Sequence, residues 1–179
     1  MDIHRLAALG QAVGANWYEA SNEAITFAGG GEAILGARLI AATSPRCGIV
    51  DNLRREVRRT SPLLAHQQNI MRALNGEWPR GPKVEPFARA LAGDAEAIPI
   101  DVWMARALGF SESLSLRDHQ KAHARIRRAA KRTHTNPRDY AASVWCGMIL
   151  SVNKRPLHYG HALRVIKAEQ QVLNLEAIP

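Results

Sequence analysis

The sequence has few cysteines, no long apolar segment and fewer acidic than basic side chains. Its two cysteines, Cys47 and Cys146, cannot supply the four thiolates of an iron–sulfur cluster. No apolar run approaches the roughly 20 residues that a membrane helix needs, and the N-terminus lacks a charged-then-apolar signal pattern. We therefore expect no membrane association and a location in the cytoplasm, where thiols stay reduced.

The charge balance is strongly basic. The 179 residues include 24 Lys and Arg against 16 Asp and Glu, a formal net charge of +8. Such an excess favours a polyanionic partner, with nucleic acid first among them, and the plainer alternative is a soluble basic protein. A hydrophobic content of 46% at this length predicts one substantial core and a single domain over residues 1–179. The oligomeric state stays open.

Apolar residues recur at three- and four-residue spacing through most of the chain, and no useful alternating pattern is present. This periodicity predicts an all-α fold. N-caps are expected at Asp101, Ser115 and Asn136, and helix stops at Gly93 and Gly109. The helices are expected over residues 2–14, 16–28, 32–43, 51–59, 61–74, 82–92, 102–108, 115–134, 138–150 and 157–173.

The segment from Pro79 to Arg106 has the most distinctive local chemistry. Gly81 suits a tight turn between helices, and Pro82 suits the first position of the next helix. A second helix follows an Ala- and Pro-rich connector, with Asp101 at its N-cap. Lys83 and Asp101 thus frame the segment as one amine and one carboxylate.

This segment resembles the helix-hairpin-helix DNA glycosylases of the endonuclease III type. The family hairpin L-P-G-V-G-x-K corresponds to residues 77–83, and its V-D-T-H-x-x-R segment corresponds to residues 100–106. Asp101 follows Lys83 by 18 positions, which matches the family's step. The sequence departs from the family at Pro82, which removes an amide, and at Val102-Trp103, which replace Thr-His.

The resemblance implies a compact multi-helix, glycosylase-like domain that binds DNA and processes a flipped, modified base without a cofactor. Lys83 would be the nucleophile at the sugar C1′, and Asp101 would offset the developing oxocarbenium charge. The helix 102–108 also carries Arg106, which would brace the carboxylate or contact a phosphate.

A second resemblance is to uncharacterised phage proteins and to the proposed phage enzymes of thymidine hypermodification. Their G-P-K-V-x-x-F and I-D-V-W-M-x-R-A patterns match residues 81–87 and 100–107. This resemblance implies a bacterial or phage-infected cell and an alternative reaction, in which an amine or amino acid is joined to an activated 5-hydroxymethyluracil in DNA. A third reading, a non-catalytic DNA-binding module in which Lys83 only touches phosphate, also stays open.

The predicted helix 115–134 is the strongest candidate for phosphate contacts, because it carries seven Lys and Arg side chains and one acid. The alternative is that these side chains form a charged helix face that contacts only solvent. The predicted DNA-binding residues are Arg80, Gly81, Arg106, Arg125, Arg127, Arg128 and Lys131.

The base pocket is predicted from aromatic residues. Trp17, Tyr18 and Trp103 are expected to form a wall against a base lifted out of the duplex, although core packing is the more common role of such rings. No metal site is expected, because His119, His123 and His134 lack the glutamate of an H-E-x-x-H arrangement.

Overall fold

The structure, a computed structural model, describes residues 2–45, 47–58 and 64–176. Within these ranges the chain forms ten α-helices and no β-strand, which confirms the all-α prediction. In chain order the helices are α1 (Ile3–Gly14), α2 (Asn22–Ala28), α3 (Ala33–Thr43), α4 (Ile49–Arg58), α5 (Leu64–Leu74), α6 (Val84–Leu91), α7 (Val102–Ala107), α8 (Leu116–Arg132), α9 (Pro137–Ser151) and α10 (Tyr159–Glu176).

The chain divides into two compact units, each built from two stretches of sequence. The first unit comprises Met1–Glu19 and Arg80–Pro156, and the second comprises Ala20–Pro79 and Leu157–Pro179. The boundary after Pro79 falls inside the segment expected to form the hairpin. A single domain over residues 1–179 and a glycosylase-like hairpin stay predictions.

The first unit is centred on the contact between α1 and α9. Glycines allow the two backbones to meet: a Cβ on Gly10 would lie 2.1 Å from the carbonyl oxygen of Ser143, and one on Gly147 would lie 1.9 Å from that of Leu6. Around this contact, buried side chains of α7 and α8, such as Met104 and Ile126, complete the hydrophobic core.

The second unit combines a close helix contact with a buried polar chain. A Cβ on Gly36 would lie 1.7 Å from the carbonyl oxygen of Ile25, so α2 and α3 pack backbone to backbone. The Tyr159 hydroxyl donates to Oδ1 of Asn52, and Nδ2 of Asn52 donates to Oγ1 of Thr43 over 2.7 Å. Tyr159, at the start of α10, is thereby buried, with 2% of its surface exposed.

The predicted N-caps are confirmed where the capping chemistry is local. Asp101 accepts from the Met104 amide, Ser115 from the Asp118 amide and Asn136 from the Asp139 amide. Each satisfies one of the free N–H groups at its helix start. The helix stops expected at Gly93 and Gly109 are also confirmed, with φ angles of +100° and +75°.

The helix starts predicted at residues 16 and 82 differ from those in the structure. Residues 16–18 form a turn instead of a helix, with a 3₁₀ turn over Glu19–Ser21 before α2. The turn buries the neighbouring rings of Trp17 and Tyr18, which a helix would separate by about 100°. Helix α6 begins at Val84 rather than at Pro82, because Lys83 occupies its N-cap. The predicted start at residue 61 lies outside the described residues.

Among the described helices, one bent pair has the length and composition to span a membrane. No single described helix is long and apolar enough to cross a bilayer, whereas segments 19–28 and 33–43, bent by 91°, pass together by length and composition alone.

Candidate functional site

Asp101, the one acidic side chain of the predicted site, is held in place by two hydrogen bonds. Its Oδ1 accepts a 2.9 Å hydrogen bond from the Met104 amide, and its Oδ2 accepts a 3.0 Å hydrogen bond from Nε1 of Trp145. The residue is half-buried. Both carboxylate oxygens therefore have N–H donors, which hold the group in one orientation.

An aromatic row, formed by Trp145, Trp17 and Phe87, continues from this carboxylate. The rings of Trp145 and Trp17 lie 6.1 Å apart, edge to face, and those of Trp17 and Phe87 lie 6.4 Å apart. The Nζ of Lys83 then lies 4.9 Å from the centre of the Phe87 ring, within cation–π range. Lys83 and Asp101 thus stand at the two ends of the aromatic row.

Lys83 reaches this row because of helix geometry. It occupies the N-cap of α6, four positions before Phe87, and residues four apart lie on one side of a helix. Gly81, with φ of +143°, turns the chain two residues earlier. The predicted contact residue Arg80 is exposed beside this turn.

Trp17 and Tyr18 are buried, with 6% and 4% of their surface exposed. Their rings lie 5.0 Å apart at 77°. Burial raises the pKa of the Tyr18 hydroxyl far above its ordinary value, and the nearby Arg138 only partly opposes this shift. Stacking of a base on either ring therefore requires the surrounding side chains to move.

Arg138 is a site residue that sequence reasoning missed. Its guanidinium carbon lies 4.7 Å from the centre of the Tyr18 ring, and it pairs with Glu19 at 3.0 Å and with Asp139 at 2.8 Å. Burial opposes the charge, but the bond to Asp139 and the charges of Asp139 and Glu19 raise the pKa of Arg138 above its ordinary value. A basic residue next to a capping Asn-Pro is too common a pattern to mark such a position.

Trp103 differs from the other two predicted pocket aromatics because it is only partly buried. The guanidinium carbon of Arg106 and the Nζ of Lys154 lie 4.8 and 5.2 Å from its ring centre. Arg106 is also paired with Glu112. A ligand that stacks on Trp103 would thus lie close to two cations, which favours an anionic ligand.

The basic residues of α8 fall into two groups. Arg125 donates a 2.8 Å hydrogen bond to the Leu108 carbonyl, and Arg127 lies 3.6 Å from Glu96. Arg128 and Lys131 are exposed, and neither has an ion-pair partner among the described residues. The second group is better placed to bind phosphate.

A separate cleft of about 600 Å³ in the first unit is lined by Gly81 and Arg127 among others, but not by Lys83 or Asp101. In the described ranges, no group of three or more His, Cys, Asp or Glu side chains is placed to hold a metal ion.

Comparison with known proteins finds a family that matches most of the chain. The model of a family of unknown function (DUF7178) matches residues 2–151. No curated protein and no solved structure matches the chain.

Proposed function

The chain belongs to the DUF7178 family, and we propose that it is a DNA-binding enzyme that acts on a modified base, related to the helix-hairpin-helix DNA glycosylases. In this proposal Lys83 is the nucleophile and Asp101 the catalytic carboxylate. The observation that carries the proposal is the aromatic row, because it connects these two side chains within one unit.

The amine and the carboxylate have distinct tasks. The neutral amine of Lys83 attacks C1′ of the sugar, the bond from C1′ to the base breaks, and the base leaves with the bonding electron pair and takes up a proton. Loss of the amine proton and opening of the sugar ring then give a Schiff base. The fixed carboxylate of Asp101 offsets positive charge that develops on the sugar in the transition state.

The exposed cations support the DNA-binding part of the proposal. Arg128 and Lys131 on α8 present positive charge to solvent, and each neutralised phosphate releases counterions. Trp103, with Arg106 and Lys154 near its ring, offers an aromatic surface beside cations, as sites for unstacked bases do.

A second candidate, a DNA-binding module without catalysis, is favoured by a different observation. Trp17 and Tyr18 are buried, and both oxygens of Asp101 already accept hydrogen bonds. In that case the aromatic row is part of the core, and Lys83 touches only phosphate.

Borohydride trapping on a panel of oligonucleotides with abasic sites and modified bases separates the two candidates. We expect a covalent adduct with the native protein and none with Lys83→Ala, while the two proteins bind DNA with similar affinity. Lys167→Ala is the matched control, because Lys167 pairs with Glu23 in the second unit, and it should trap normally.

An adduct that persists in Lys83→Ala would show that another amine is the nucleophile. DNA binding without any adduct or base loss would leave the non-catalytic module. When amines or amino acids are supplied, a gain of mass on DNA that contains activated 5-hydroxymethyluracil, in place of base loss, would instead identify the transferase reaction.

A further inference from the structure

Helix α8 (Leu116–Arg132) has one side in the core of the first unit and one exposed face along its whole length. Ile126 on the inner side is fully buried. Arg117 near the start of the helix, Ala124 at its middle and Lys131 near its end are exposed. At 1.5 Å per residue, this exposed face is about 25 Å long.

Ala124 lies near the middle of the exposed face, with cations on both sides of it. Successive residues of a helix are turned by about 100°, which places Lys131 and Arg127 about 20° and about 60° to one side of Ala124. Four more cations fall between about 20° and about 80° to the other side. These are Arg117, Arg128, Lys121 and Arg132. The face therefore presents positive charge on two sides of a small uncharged residue.

These six cations are available to an anionic partner. All are exposed, and four of them have no ion-pair partner among the described residues. The other two, Lys121 and Arg127, are each paired with a carboxylate at 3.6 Å. Ion pairs between exposed side chains contribute little free energy, so both side chains can exchange the carboxylate for a phosphate.

The spread of the cations fits a groove better than a single row of phosphates. Cations on one line of a helix suit one row, whereas Arg127 and Arg132 are about 140° apart around the axis of α8. The major groove of B-form DNA is about 12 Å wide, with phosphates along both sides, and a helix with its side chains is about 10–12 Å across. Cations on the two flanks would reach the two strands, while the small side chain of Ala124 lets the helix approach the base edges.

We propose that α8 lies in the major groove of B-form duplex DNA, with Ala124 at the point of closest approach and the flanking cations on phosphates of both strands. This placement of α8 rests on the DNA-binding part of the proposed function and adds to it a strand state and a groove. It requires neither Lys83 nor Asp101, so it can fail while the proposed chemistry stands.

Two duplexes of one sequence and equal length separate groove binding from simple attraction to phosphate. An A-form RNA duplex carries the same number of phosphates, but its major groove is too deep and narrow for side chains to read. We would measure the Kd of the full chain for the DNA duplex, the RNA duplex and one DNA strand by fluorescence anisotropy at a single salt concentration. The DNA duplex should bind about tenfold more tightly than the RNA duplex. Equal affinity for the two duplexes, or tighter binding of the single strand, would overturn the placement.

Borohydride trapping on the same DNA keeps this proposal apart from the proposed function. A covalent adduct together with equal affinity for DNA and RNA duplexes would remove α8 from the groove and leave the enzyme. A preference for duplex DNA without any adduct would support the placement of α8 and leave a non-catalytic module. Failure to bind any of the three nucleic acids would overturn both.

Ala124→Phe is the sharpest variant, because it adds bulk at the point of closest approach and leaves every cation in place. We expect the Kd for the DNA duplex to rise about tenfold and the Kd for the RNA duplex to change less than about twofold. Ala168→Phe is the matched control, since Ala168 is also exposed on a helix, α10 of the second unit. It has the same cost in helix propensity and should leave both Kd values unchanged. Native-like affinity of Ala124→Phe for duplex DNA would contradict the placement.

Blocking one groove at a time identifies the groove that α8 occupies. A glucosyl group on 5-hydroxymethylcytosine fills the major groove and leaves the phosphates unchanged, because the C5 position of a pyrimidine faces that groove. Netropsin blocks the minor groove of A·T tracts instead. We expect the glucosylated duplex to bind about tenfold more weakly than the plain duplex and netropsin to have little effect. The reverse pattern would overturn the major-groove placement.

Discussion

Trp145 and Asp101, which are 44 positions apart in the sequence, are joined by a 3.0 Å hydrogen bond from the indole Nε1 to the carboxylate Oδ2. The same carboxylate caps α7 through its Oδ1. One acidic side chain therefore fixes a helix start and ties it to α9. The candidate catalytic group therefore also has a structural role. Its contribution to stability through the cap of α7 and its contribution through the bond to Trp145 can be measured separately.

A double-mutant cycle separates them. Asp101→Ala removes the cap and the bond to Trp145, so we expect it to lower the free energy of unfolding by about 2–4 kcal/mol. After Trp145→Phe, the same change should cost less, because only the cap is then removed. Urea unfolding measures both values. Ser115→Ala, which removes only the cap of α8, is the control and should lower the free energy of unfolding by about 1 kcal/mol. If the losses from Asp101→Ala and Trp145→Phe are additive, the hydrogen bond between these residues does not contribute to stability.

At the close contact between α1 and α9, we expect a Gly→Ala substitution to destabilise the protein, although alanine has the higher helix propensity. Gly10→Ala gains up to about 1 kcal/mol of helix propensity. Its Cβ would clash with the backbone of Ser143, however, and a backbone cannot relieve a clash by changing rotamer. We expect a net loss of about 2–3 kcal/mol by thermal or urea unfolding. Gly48→Ala is the control, since its nearest neighbour would be Asp51 at 3.8 Å. Equal stability of the two variants would contradict the close contact.

Stability should fall in mild acid because of the histidine pair on α8. Burial lowers the pKa of both His119 and His123 below the ordinary 6.5. Below pH 6.5 the unfolded chain then binds more protons than the folded chain, so the free energy of unfolding decreases as pH falls toward the folded pKa values.

Urea midpoints between about pH 7.5 and about pH 5.5 measure this effect in the range where histidine titrates. His123→Gln should flatten the decrease, whereas His161→Gln, in the second unit, should not. An undiminished slope in His123→Gln would show that the decrease has another source.

The division of the basic residues of α8 predicts unequal effects on DNA binding. Replacing Arg128 and Lys131 by alanine should reduce the slope of log K against log salt by about 0.9 for each phosphate of duplex DNA that these side chains neutralise. Arg125→Ala should change the slope less, because Arg125 is bonded to the Leu108 carbonyl. Fluorescence anisotropy over a salt series tests this ranking, which fails if Arg125→Ala has the largest effect.

The sequence predicted most helices and the caps at Asp101, Ser115 and Asn136, because capping depends on residues within one turn. It failed at residues 16–18, where burial of Trp17 and Tyr18 outweighs the helical periodicity. The local sequence pattern does not show which aromatic rings tertiary packing will bury, and this packing can override helix propensity.

The surroundings of the candidate site residues could be predicted only in part for a similar reason. Lys83 and Asp101 were found from a motif, and the aromatic row that connects them was not, because Trp17 and Trp145 come from distant parts of the sequence. Arg138 escaped notice because an arginine that stays charged when buried looks, in sequence, like any surface arginine. Such partners are chosen by tertiary packing.

The discontinuity of the first unit has a consequence for biosynthesis. Helix α1 emerges from the ribosome long before its partner α9, which ends at Ser151, so the glycine-lined face of α1 stays without its partner until the helices between them have been translated. Contacts of such long range slow folding and leave apolar surface uncovered in the meantime. The core of the first unit is therefore expected to close only after α9 has left the ribosome.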